Sequence, residues 1–86
     1  MLHARKDYNE RIQDSANLIP DSEPCFLIRG QDACGAAAVR AYAHIHRTNG
    51  GSDTVYLAAM RQADRMEAWA KEKTSKLADV DPSLCL

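Results

Sequence analysis

One short run constrains this chain more than any other: Glu23-Pro24-Cys25-Phe26-Leu27-Ile28-Arg29-Gly30-Gln31-Asp32. It is the one segment with clear strand character in a sequence whose other signals are helical. The alternation predicts a strand over about Pro24 to Arg29, with Cys25, Leu27 and Arg29 on one face and Phe26 and Ile28 on the other. Both faces are apolar at the centre, the pattern of burial on two sides. Pro24 lacks an amide hydrogen and fits only a strand start or an edge. A lone strand leaves its own amides and carbonyls unpaired. Leu18-Ile19 is too short to pair well, and nothing later alternates. The expected partner is therefore the same strand of a second copy, in a homodimer that removes the exposed edge.

The rest of the order is helical. Asp32 fits as the N-cap of a first helix running to about Thr48, and Asn49-Gly50-Gly51 supplies a left-handed stop. At helical spacing Ala36, Ala38, Val39, Tyr42, Ala43, Ile45 and His46 form one stripe, with Arg40, His44 and Arg47 opposite. A second helix begins at Ser52 or Asp53 and continues to about Lys76. Its apolar face holds Val55, Tyr56, Ala59, Met60, Ala63, Met66, Trp69 and Ala70, and its outer face Arg61, Asp64, Arg65, Lys71 and Glu72. Glu67 and Lys71, and Glu72 and Lys76, are four apart in the favourable order. The short connection predicts an antiparallel hairpin. Residues 1–22 read as an extended arm with a helical turn near Tyr8 to Gln13, and residues 78–86 as a frayed tail. The expected architecture is α+β, mainly α: an arm, one domain over residues 23–77 (strand, helix, helix), and the tail.

Size and charge narrow the function classes. A domain of 86 residues buries roughly 60% of its unfolded surface, so a second copy or a partner helps to stabilise it. The formal charge is −1, from 11 basic and 12 acidic residues, which lacks the excess that nucleic-acid binding draws on. Met1 to Asp7 has no apolar centre of a secretory signal. No run approaches the ~20 apolar residues of a membrane span. Cys25, Cys34 and Cys85 are odd in number and include no close pair, which points to a reduced, cytoplasmic setting.

No catalytic set is assembled. Cys34 sits at a helix start, where a thiolate is favoured. His44 and His46, its only candidate bases, are two to three turns along the same helix and out of reach. Those histidines are about 200° apart around the helix and cannot share a metal ion. His46 lies within the apolar stripe and is expected to be buried or interfacial with a hydrogen-bond partner. The sequence thus predicts no enzyme, no cofactor and no metal. The polar end of the strand offers the one ligand-site candidate: Arg11, Arg29, Gln31 and Asp32, with free amides at the helix start suiting a small anion such as a nucleotide. Asp32 acting as a cap competes for those amides. Phe26, Ile28, His46 and Trp69 are the interface candidates.

The strings Arg11-Ile12-Gln13-Asp14, Ile19-Pro20-Asp21 and Glu23 to Asp32 resemble a family of small uncharacterised bacteriophage- and prophage-encoded proteins with an EPxFLxRxQD-like core, over about residues 7 to 70. The resemblance implies an accessory protein that binds a host protein or captures a small host signal. Cys25 and Cys34 stand where that pattern leads one to expect plain apolar or variable residues. The expected function is non-enzymatic interaction or regulation. The alternatives are a sequestering binder of a small anionic ligand and a helix-hairpin DNA-binding regulator.

Overall fold

The computed structural model describes the whole chain, Met1–Leu86. The elements in order are β1 (Leu2–His3), α1 (Lys6–Arg11), β2 (Pro24–Cys25), α2 (Gly35–Thr48), α3 (Asp53–Glu72) and a 3-10 turn at Pro82–Leu84. The fold is mainly α with one small strand pair, the class the sequence predicts. Two compact units divide the chain: Met1–Leu27 with Asp79–Leu86, and Ile28–Ala78. The expected arm and tail thus belong to one unit, and the boundary passes through the predicted strand.

In the first unit β2 pairs in parallel with β1, Leu2 opposite Pro24 and His3 opposite Cys25. The strand is two residues long rather than six because its partner is taken up elsewhere: Ala4, next in register opposite Phe26, accepts from the Leu86 amide, and Arg5 pairs with Cys85 and caps α1. One edge of β2 is therefore filled within the chain, by two residues too few to show a period. Arg5 anchors α1, bridging to Asp7 at 2.7 Å and lying over the Tyr8 ring at 4.4 Å. The loop that follows is tied by Asp14, whose carboxylate accepts from the Ile19 amide at 2.6 Å. The tail is held rather than frayed. Asp81 accepts from the Ser83 amide at 2.9 Å, and the Leu86 amide donates to the Ala4 carbonyl at 3.0 Å.

The second unit is the expected helix hairpin, with different ends. Asp32 makes a turn rather than the helix cap: its carboxylate accepts from the Cys34 amide at 2.8 Å, and α2 begins only at Gly35. The cause is a backbone clamp in which Ala33 donates to the Lys76 carbonyl at 2.7 Å and Lys76 donates to the Gln31 carbonyl at 3.0 Å. The clamp holds residues 31–33 out of the helical path. It also ends α3 at Glu72 instead of about Lys76, helped by Thr74 and Ser75, weak helix formers.

At the hairpin tip Gly51 donates to the His46 carbonyl at 2.8 Å and Gly50 to that of Arg47 at 3.1 Å, with Gly50 at φ 85°. This pair of hydrogen bonds closes α2 as the glycines predict. Ser52 then caps α3 by accepting from the Val55 amide at 3.3 Å.

The face that α2 turns to α3 departs from the predicted stripe. Ala43 and Ala63 are fully buried, so the helices approach closely. Arg40, expected opposite the packed face, crosses to Asp64 at 3.0 Å and Glu67 at 3.2 Å. Arg47 lies 4.5 Å over the Tyr56 ring, and His44 meets the same ring edge-on. Glu67 thus serves Arg40 in place of the Lys71 pairing expected from spacing. Tyr42 and Ile45, expected in the packed stripe, are 54% and 60% exposed, and Ala38 is exposed beside them. One helix cannot cover so wide an apolar stripe. The partners that α3 offers to cations decide which part is covered.

Candidate functional site

Ile28 to Gly30 brings the polar segment against α3. A Cβ on Gly30 would lie 3.8 Å from both the Met66 Cα and the Trp69 ring, and one on Gly35 only 2.9 Å from the Arg29 carbonyl oxygen. Gly35 therefore allows the turn to pass close over the start of α2.

The amides at this start are largely spent. Asp32 donates to the Arg29 carbonyl at 3.0 Å, Ala33 to Lys76, Cys34 to the Asp32 carboxylate and Gly35 to the Asp32 carbonyl at 2.9 Å. An anion at residues 32–35 would have to displace one of these bonds. Beside the turn lies a cavity of about 250 Å³ whose lining includes Gly30, Asp32, Ala36, Arg40, Glu67 and Lys71. Its charges oppose each other. Arg40 is held by Asp64 and Glu67, whose hydrogen bonds raise its pKa above the ordinary value, Asp64 first. Lys71 is left as the cavity's one unpaired cation.

The four predicted ligand residues are spread out. Asp32 alone of them lines the cavity, beside Gly30, whereas Arg29 and Gln31 do not. Arg29 is exposed, and Gln31 is half-buried with its carbonyl in the clamp. Arg11 closes α1 in the first unit and is exposed.

The interface candidates divide likewise. Phe26, in the first unit, is 76% exposed. It borders an apolar groove of about 370 Å³ with Leu2, His3, Cys25 and Leu86. Ile28 is half-buried beside Gly35, and Trp69 lies exposed near Gly30. His46 is eleven residues along α2 from Gly35, about 16 Å at the helical rise. It is half-buried, its ring 5.9 Å from that of Tyr42, and its Nε2 is closed off without the expected hydrogen-bond partner. Gly51 explains this, because its backbone lies on the imidazole where a side chain would collide.

His3, which carries no signal in the sequence, is buried with both ring nitrogens unpartnered and its edge towards Tyr8 at 6.3 Å. Cys25 is half-buried, and Cys34 and Cys85 are exposed, all three as free thiols. No three His, Cys, Asp or Glu side chains are grouped to hold a metal ion, and no helix is long and apolar enough to cross a membrane. Comparison with protein-family models, curated proteins and solved structures returns no match.

Proposed function

We propose that this chain is a non-enzymatic interaction protein that completes its apolar packing on protein partners. One observation carries the reading: ten large apolar side chains are exposed, while the only side chains wholly enclosed are those of Ala43 and Ala63. Covering one Leu, Ile or Phe contributes about 1.5–3 kcal/mol, so surfaces built around Phe26, Leu86, Tyr42 and Ile45 favour association. The groove beside Phe26 is the surface for a foreign protein partner. A host protein is the partner that the phage resemblance implies.

A photo-crosslinking phenylalanine analogue at position 26 tests this in living host cells, with the same analogue at exposed Lys6 as the control. The reading expects a discrete adduct heavier than a self-linked pair, lost when Leu86→Asp is added. Adducts no stronger than the Lys6 control would overturn it.

A second reading has its own support. The cavity beside Gly30 and Asp32 is of ligand size, and Lys71 faces it unpaired. A thermal-shift screen with nucleotides separates the two readings. A stabilisation that disappears in Lys71→Ala supports ligand capture, and the absence of any shift removes it.

A further inference from the structure

We propose that Asn49-Gly50 is a site of spontaneous modification, the deamidation of Asn49, which the closed hairpin tip holds back and an opened tip releases. The inference is independent of both functional readings above. Asparagine followed by glycine lets the next backbone nitrogen attack the side-chain amide, because glycine has no side chain to obstruct the approach. Asn9 precedes Glu10 and Asn17 precedes Leu18, so Asn49 is the one asparagine with that opening. Asn49 and Gly50 are both exposed, and a Cβ at Gly50 would meet nothing within 4 Å, so water and base reach the pair.

The Gly50 nitrogen gives its proton to solvent base and forms a bond to the Asn49 Cγ. The bond from Cγ to Nδ2 then breaks, and the leaving nitrogen takes up a proton and departs as ammonia. Water opens the cyclic imide at either carbonyl, giving aspartate, or isoaspartate with the chain rerouted through the side chain. Nothing is oxidised or reduced.

The folded tip withholds what the attack needs. The Gly50 amide donates to the Arg47 carbonyl at 3.1 Å, so its hydrogen is engaged. Asn49 stands at ψ 13°, which turns the Gly50 nitrogen away from its own Cβ. Ring closure needs a large rotation about that bond. The rotation breaks the Gly50 hydrogen bond and the neighbouring one from Gly51 to the His46 carbonyl at 2.8 Å. The product then acts on the same turn. A carboxylate at position 49 stands at the C-terminal end of α2, where the carbonyls already carry partial negative charge. Isoaspartate lengthens the backbone inside the turn that closes the helix. A tip that has opened and reacted therefore closes less well.

Mass spectrometry with peptide mapping tests this on the full-length protein held at mildly alkaline pH. A capped synthetic peptide of residues 47–53 is the open reference. Asn49 in the folded protein is expected to deamidate about tenfold more slowly than in the peptide, or slower still, following the small open population of the tip. Two changes open the tip by different routes: Gly51→Ala, which sets a methyl group on the His46 ring, and urea below the unfolding midpoint. Under each, deamidation should accelerate by the same factor as hydrogen exchange at the Gly50 amide. If Gly51→Ala fails to fold, the urea series on the wild type carries the comparison. Deamidation of the folded protein at the peptide's rate overturns the proposal, as does a rate that stays fixed while Gly50 exchange accelerates.

Discussion

Arg40 reaches from α2 to the Asp64 carboxylate on α3 at 3.0 Å and to Glu67 at 3.2 Å. One side chain thereby fixes which face of α2 is covered. With Arg40 held by α3, Tyr42 and Ile45 are left on the exposed side of α2.

Arg40→Met is expected to lower the melting temperature in dilute buffer, because it leaves two carboxylates facing each other without their cation. Salt screens such exposed groups within a few ångströms at about 1 M. The gap between wild type and variant should therefore shrink in a melting series from low to high salt. A salt-independent gap would assign the effect to lost packing of the arginine stem.

Gly51 and His46 make a coupled pair. Gly51→Ala places a methyl group on the imidazole, the end of a side chain that can swing aside, so the cost is expected at the low end of the about 1–3 kcal/mol that overpacking brings. His46→Ala alone should cost less, since Nε2 makes no hydrogen bond there. In the double variant the Gly51→Ala penalty should largely vanish. Denaturant unfolding of the four proteins measures this coupling, and additive losses would contradict it.

Gly35→Ala should also destabilise by about 1–3 kcal/mol, because its Cβ meets backbone rather than a flexible side-chain end. The same change at Gly30 should be near neutral, as the nearest atoms there are at ordinary contact distance. Urea midpoints of the two variants decide between these outcomes.

Acid should loosen the first unit. The hydrogen bond from Arg5 holds the Asp7 carboxyl below its ordinary value of 3.8, and the Ser83 amide does the same for Asp81. The folded state therefore binds these protons more weakly than the unfolded chain. The stabilisation is complete above the unfolded pKa and is lost as pH falls through the lower folded values. Protection factors for amide exchange at Tyr8 and Leu86, corrected for the pH dependence of the intrinsic exchange rate, should fall below the usual carboxylate range. Asp7→Asn should flatten that dependence at Tyr8.

The hairpin was legible because its signals are local: Asn49-Gly50-Gly51 ends one helix, and Ser52 caps the next. Helix existence and the mainly α class follow from such short-range chemistry. The start of α2 and the end of α3 were not legible, since both depend on the clamp between Gln31, Ala33 and Lys76, residues more than forty positions apart in sequence. The strand partner was hidden for a related reason, because Leu2-His3 is too short for any period. The apolar width of α2 could be read from spacing, but which part of it faces α3 depends on Asp64, Glu67 and Tyr56. The ligand candidates rested on adjacency in sequence, and the turn at Asp32 spends the amides that made them attractive.

The central claim is that the apolar groove beside Phe26 and Leu86 docks a protein partner, and crosslinking at that position tests it most directly. With the photo-reactive phenylalanine analogue at position 26, a discrete adduct heavier than a self-linked pair is expected in host cells and is lost when Leu86→Asp is added. Labelling no stronger than at the Lys6 control would contradict the account.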